Sequence, residues 1–355
     1  MRPWLTGRFG NPSGSHQVAR AARTAVDDSR DRLATVVGVD PGGIIFTSGG
    51  NEADNLAVLG AAAARPGPVV VSAVEHPAVM EAAFSSGQEV RVAAVDSDGL
   101  VDLDGLRRLL DREVTLVSVQ LANHETGVIQ PLDQIARRVR KFAPDALFHT
   151  DAVQAFAWMD LREAAACADL ISVSGHKVGG PQGIGALAGR GRPLLRAILY
   201  GGGQERELRS GTHNVAGIVG LAAAAEAADA GRAADSIRTR RLRDELATDL
   251  RTSIPGCVET ASSAVRLPGH IHLRFSGVES EELLVLLDDA GVCASAGAAC
   301  ASGAMEPSPV LLAMGVDKVD ALSSLRLTLG WTTTPEDVAF AARVVPAAVQ
   351  RLRAA

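Results

Sequence analysis

Short apolar runs alternate with longer stretches of helical periodicity through the first two thirds of the chain, and most of the runs end in a polar or glycine-rich turn. Residues 44–47, 69–72, 90–95, 115–121, 146–151, 170–173 and 185–188 read as strands. Residues 16–37 and 52–64, the stretch after Pro131, and segments starting at Val153 and Arg162 read as helices. Strands alternating with helices imply an α/β architecture: a mostly parallel sheet flanked by helices on both faces. The pattern then changes. An Ala-rich helix is expected over 215–230 and a second helix to about residue 251. An alternating strand (270–275), a helix (280–290), a loop of tiny residues (292–305), a second alternating strand (323–329) and a closing helix (337–353) follow. This predicts a large domain over 1–230 and a smaller α+β C-terminal domain over 231–355.

The turns that end the strands carry the candidate chemistry. Ser48-Gly49-Gly50-Asn51 links a strand to a helix, whose first backbone N–H groups suit a phosphate. The same glycines are also compatible with plain chain geometry. His76 ends one strand, Asp151 and Gln154 another, and Lys177 a third. Ligands of open α/β sheets bind at that end of the strands. The chain has three lysines among 35 basic side chains. A lysine kept in so Arg-biased a chain points to a need for an amine that can lose its proton. Each residue has a plainer role: Lys177 on the surface, Asp151 as a helix cap, His76 in a loop, Gln154 in solvent. The polar glycine loop 200–214 is longer than a compact fold ordinarily keeps without binding something.

Composition narrows the class. At 355 residues, 47% hydrophobic and 21% charged, the chain is expected to be a soluble globular enzyme. A net charge of −6 argues against a general nucleic-acid or membrane binder. Four cysteines (Cys167, Cys257, Cys293 and Cys300) without a CxxC spacing suit free thiols in a reducing cytoplasm, and no metal site is expected. The first residues lack the apolar core of a signal peptide, and the uncharged run 210–225 is too short and too interrupted to span a membrane.

Pyridoxal 5′-phosphate would use all of these groups together. It needs a lysine to hold its aldehyde as a Schiff base, a carboxylate at its ring nitrogen, a phosphate cup and a flat group against the ring. Lys177, Asp151 with Gln154, the turn at Asn51, and His76 can supply them.

These stretches are also recognisable. FTSGGNEADNLAV, EHPAV, ANHETGVIQP, HTDAVQ, SVSGHKVGGPQGIGAL, GGGQERELRSGT, ASAGAACASGAMEPS and SSLRLTLG together resemble the NifS/IscS type of cysteine desulfurase, within the class V aminotransferase group of fold-type I pyridoxal-phosphate enzymes. The resemblance covers nearly the whole chain. It implies that Lys177 is the Schiff-base lysine, that Asp151 and Gln154 meet the ring nitrogen and ring oxygen, and that His76 stacks and serves as an acid–base group. It assigns Gly50, Asn51, Ser174 and His176 to the phosphate cup, and Thr212 to the phosphate bound by a neighbouring subunit, hence a homodimer. It assigns Arg326 to the substrate carboxylate, His124 to cofactor and substrate, and Cys300, in a mobile loop, to the nucleophile. The implied reaction converts L-cysteine to L-alanine and leaves a persulfide on Cys300 for a sulfur-acceptor protein. Asn51 and His124 stand where the family usually has threonine and asparagine. The usual opening strand and loop, and the longer tail of some relatives, are expected to be missing. Cys293 is expected in a strand. The alternatives are a class V aminotransferase or selenocysteine lyase, and a sulfur-carrier or scaffold subunit without turnover.

Overall fold

The computed structural model describes residues 1–191, 193–297 and 306–354. They form two compact units. One comprises Met1–Ala93, Leu103–Leu121 and Gln130–Arg232; the other comprises Ala94–Asp102, Ala122–Ile129 and Ala233–Ala355. Two short stretches from the first part of the chain therefore pack with the C-terminal residues, which a single cut of the sequence does not convey.

In the first unit the chain runs α1 (Arg2–Thr6), α2 (Gln17–Val37), β1 (Ile44–Thr47), α3 (Gly50–Ala64), β2 (Val69–Ser72), α4 (Pro77–Ser85), β3 (Val90–Ala93), α5 (Leu103–Leu109), β4 (Leu116–Ser118), α6 (Leu132–Phe142), β5 (Leu147–Asp151), α7 (Leu161–Ala164), β6 (Leu170–Ser174) and β7 (Gly185–Gly189). Helix α8 (Val215–Ser253) follows. Among the described residues the strands form one seven-stranded sheet in the order β1-β7-β6-β5-β4-β2-β3. Four pairings are parallel, and β7 lies antiparallel to both β1 and β6. Strands β1, β2, β4, β5 and β6 consequently all point the same way. The mixed but mostly parallel sheet is wholly buried along β1, β2, β4 and β6, as expected of strands covered on both faces. Helix α3 lays Ala53, Leu56, Ala57 and Ala61 into the same apolar cluster as Ile45, Val71, Leu170 and Leu187.

The second unit contains β8 (Cys257–Glu259), β9 (His270–Phe275), α9 (Ser280–Asp289), α10 (Pro309–Ala313), α11 (Lys318–Leu322), β10 (Ser324–Thr328) and α12 (Pro335–Ala354). Strand β9 pairs antiparallel with both β10 and β8. Leu273, Phe275, Leu287, Leu325, Val345 and Val349 share its core.

Three expectations change. No helix starts at Val153; residues 153–158 form turns. The two helices expected over 215–251 are one, since Gly231 weakens a helix without stopping it. Helix α4 was not anticipated: Pro77 at its first position and His76 as its cap begin it.

Candidate active site

The common direction of β1, β2, β4, β5 and β6 brings five turns to one edge of the first unit's sheet. They deliver the start of α3, His76, Gln120, Asp151 and Lys177. Gly185 lets two of these turns approach. It is paired with both Thr47 and Ser174, and a Cβ on it would lie 2.6 Å from the Val173 carbonyl oxygen and 2.7 Å from Gly49. A Cβ on Gly50 would come within 2.7 Å of Val153 Cγ2 and 3.6 Å of Ser174. The glycine turn thus lies against Ser174, and among the described residues no side chain caps α3 at Gly49. An uncapped helix start beside a buried serine is a fitting seat for phosphate oxygens. Asn51 is exposed at this first turn, and Ser174 Oγ lies 2.9 Å from His176 Nδ1.

Lys177 is exposed in a tight 3-10 turn directly after β6. Its charge is felt by Asp151, His76 and His176. Asp151 is 7% exposed and accepts the Val153 N–H at 2.8 Å. Burial pushes its carboxyl up to about 6, against the pull of that N–H and of Lys177. A cationic ring N–H would supply the counter-charge that burial withholds, so the residues present fit a pyridinium nitrogen. His76 caps α4 by accepting the Ala78 N–H at Nδ1, 3.1 Å away, which leaves its ring proton on Nε2. Burial first, and then Lys177, lower its basicity. Gln154 is half-buried in the turn after Asp151.

Two carboxylates hold the polar loop: Glu52 receives Arg209 Nε at 2.8 Å, and Glu205 makes the larger set of contacts. Glu205 receives Arg30 at both oxygens (2.6 and 2.9 Å), lies 2.7 Å from His213 Nε2 and accepts the Phe46 N–H at 2.8 Å. Glu205, Arg206 and Glu207 all have positive φ, at 47°, 57° and 68°. Such a run in non-glycine residues costs energy at every position, and the Glu205 contacts hold it in place. Thr212 lies exposed beyond it.

In the second unit Arg326 is half-buried on β10. It donates through Nη1 to the His124 carbonyl at 3.1 Å. Asn123 is buried, and its Oδ1 accepts from the Glu125 N–H, the Thr126 N–H and the Thr126 hydroxyl, so it shapes the turn. His124 is the half-buried neighbour, with Nε2 3.7 Å from Glu125 Oε1. Glu125 accepts the Ser308 hydroxyl at 2.6 Å, and burial pushes it up to about 7. Cys300 lies outside the described residues. Cys293 is exposed and outside any strand, contrary to expectation, because pairing resumes only at Ser295. Cys167 and Cys257 are half-buried, and burial raises both thiols to about 11, where they are inert.

The family model for class-V aminotransferases matches residues 1–340. The chain belongs to the class-V aminotransferase family. Among curated relatives of this class-V chain, a cysteine desulfurase of Nostoc sp. is 39% identical, covering 100% of this chain and 89% of its own. An IscS-like cysteine desulfurase of Mycobacterium tuberculosis is 40% identical, covering 98% and 91%. Among solved structures, a NifS-like protein superimposes with a TM-score of 0.91 at 32% identity, covering 99% of this chain and 94% of that one.

In this class-V chain the sheet brings Gly50, Asn51, His76, Asp151, Gln154, Ser174, His176 and Lys177 to one edge of the first unit, while Arg326 and His124 meet in the second. Sequence reasoning missed Asp54, Glu75, His149 and Glu205, all buried. A signal existed for two of them. Asp54 interrupts the apolar stripe of α3, and His149 shares a strand face with Asp151.

Proposed function

We propose that this chain is a cysteine desulfurase that uses pyridoxal 5′-phosphate, converts L-cysteine to L-alanine, and passes sulfur through a persulfide on Cys300 to an acceptor protein. The observation that carries this reading is the pairing of a lysine with a buried carboxyl at the strand ends, beside an uncapped helix start, in a chain whose full-length relatives bear that name. Lys177 would hold the cofactor aldehyde, Asp151 the ring nitrogen and Gln154 the ring oxygen. His76 would lie against the ring. Gly50, Asn51, Ser174 and His176 would hold the phosphate, with Thr212 of a second copy in a homodimer. When bound, the cofactor withdraws electrons from the substrate α-carbon and so makes its proton removable.

The chain's own residues do the rest. Arg326, whose planar fork suits a carboxylate, would orient the substrate, with His124 beside it. The neutral Lys177 amine takes the α-proton. The Cys300 thiolate attacks the substrate sulfur, the carbon–sulfur bond breaks, and its electron pair stays with the carbon. The β-carbon takes a proton from Lys177 or from His76 after that ring has taken up the Cys300 thiol proton, and Lys177 returns a proton to the α-carbon, giving alanine. The sulfur stays on Cys300 as a persulfide, at no net change in oxidation state of the substrate and thiol taken together.

A single-turnover reaction with L-cysteine, wild type beside Cys300→Ala, tests this. Alanine and a persulfide mass shift on the Cys300 peptide are expected in wild type and lost in the variant. Alanine from both proteins would remove Cys300 from the reaction; alanine from neither, in cofactor-loaded protein, would overturn the function.

A further inference from the structure

A layer of buried polar groups lies directly behind Asp151. His149 precedes Asp151 by two residues on β5, so both side chains leave the strand on one face. His149 is fully buried, with Nδ1 2.8 Å from Ser118 Oγ and Nε2 3.0 Å from Ser172 Oγ. From α3, Asp54 Oδ1 comes within 3.7 Å of that Nε2 and has no hydrogen-bond partner among the described residues. Beyond β2, Glu75 Oε1 accepts both the Ser72 hydroxyl and the Gln120 N–H, while its Oε2 has no partner among the described residues. Asp54 and Glu75 both feel the charge of Asp151.

Three carboxylates cannot all be ionised here. A buried charge with an unpartnered oxygen costs several kcal/mol, about as much again for each one added, and like charges raise the cost further. One negative charge can be held where compensation exists. Glu75 has the Ser72 hydroxyl and the Gln120 N–H, Asp54 the Ser172 hydroxyl, and Asp151 the Val153 N–H, but among the described residues only Asp151 also feels a cation, Lys177.

We propose that Asp54, Glu75 and His149 are neutral positioning residues that confine the single negative charge of this layer to Asp151, and so fix the proton on the cofactor ring nitrogen. The proposal rests on the cofactor assignment made above. Burial raises Asp54 well above the ordinary carboxyl value and Glu75 to about 8, and pulls His149 down to about 3, whereas Asp151 is held at about 6. The titratable groups facing one another are Asp54 from α3, Glu75 after β2, His149 and Asp151 from β5, and Lys177 after β6. Above about pH 8 the ionisation of Glu75 sets a second negative charge beside Asp151. The environment of the ring nitrogen then changes without any change in Asp151 itself.

The experiment is infrared spectroscopy of isotope-labelled protein near pH 7, with and without cofactor, on wild type, Asp54→Asn, Glu75→Gln and Asp151→Asn. Each of the first two substitutions should delete one protonated-carboxyl carbonyl band, and Asp151→Asn should delete none. A wild-type spectrum without such bands, or a band lost in Asp151→Asn alone, overturns the proposal. In the holoprotein, the visible band of the cofactor should shift with a midpoint near pH 8 in wild type and show no such transition in Glu75→Gln. Identical titrations would overturn the link from Glu75 to the ring. The infrared result is read equally without cofactor, whereas failure of the cofactor assignment appears separately, as a visible band that survives in Lys177→Ala.

Discussion

Replacing Glu205 by Gln should destabilise the protein by roughly 3 kcal/mol near pH 7. The side chain is 2% exposed, so solvent screens little of its interaction with Arg30. Arg30, His213 and the Phe46 N–H hold its carboxyl at about 2, against an ordinary value of 4.5, in spite of the burial that opposes them. At about 1.4 kcal/mol per tenfold change, that gap gives the figure. An independent estimate agrees, because stranding a buried partner charge costs about 3–5 kcal/mol, and Arg30, 14% exposed, belongs at the lower end. The pH dependence has a definite sign. The folded-state value is depressed, so the stabilisation is fully present above pH 4.5 and disappears as pH falls toward 2. By about pH 4 the difference between wild type and variant should have shrunk by about 1 kcal/mol. Urea unfolding followed by circular dichroism, at a series of pH values from about 7 to about 4, measures it. A loss below about 1 kcal/mol at neutral pH, or one that does not shrink on acidification, would refute the reasoning. The carboxylate would then not be what holds the three left-handed residues in place.

Other substitutions test neighbouring parts of the account. Glu207→Gly should stabilise by about 0.5–1 kcal/mol in thermal or urea melts, since φ of 68° strains a side chain by about 1–2 kcal/mol and glycine returns part of that as chain entropy. Gly127→Ala should destabilise by more than about 2 kcal/mol, because φ is +75° and the new Cβ would lie 2.5 Å from His270 Cβ; an unchanged melt would refute the close approach. Arg326→Lys should raise KM for L-cysteine by about 10–100-fold with a smaller change in kcat, through loss of bidentate carboxylate binding. Equal KM values would move the carboxylate contact elsewhere. Lys177→Ala should lose the covalently held chromophore and lower turnover by at least about 100-fold, read by absorbance and alanine release.

The alternation of apolar runs with helical stretches determined most of the first unit's strands, and strands 44–47 and 69–72 appear with the bounds read from the sequence. Their burial on both faces makes them continuous apolar runs, which periodicity detects without tertiary information. The residue types at the turns after them also narrowed the chemistry, since a lone lysine after a strand, an acid after another and a glycine turn before a helix each carry a local signature. Local pattern was insufficient where a long-range contact decided the outcome. The direction of β7 follows from pairings with β1 and β6, which lie far from each other in sequence. The layer of Asp54, Glu75 and His149 was likewise invisible as a group. Three elements distant in the chain supply it, and only the sheet's strand order brings their side chains behind Asp151. Sequence alone names the groups able to do the chemistry. Their protonation depends on burial and on neighbours, which the tertiary structure alone determines.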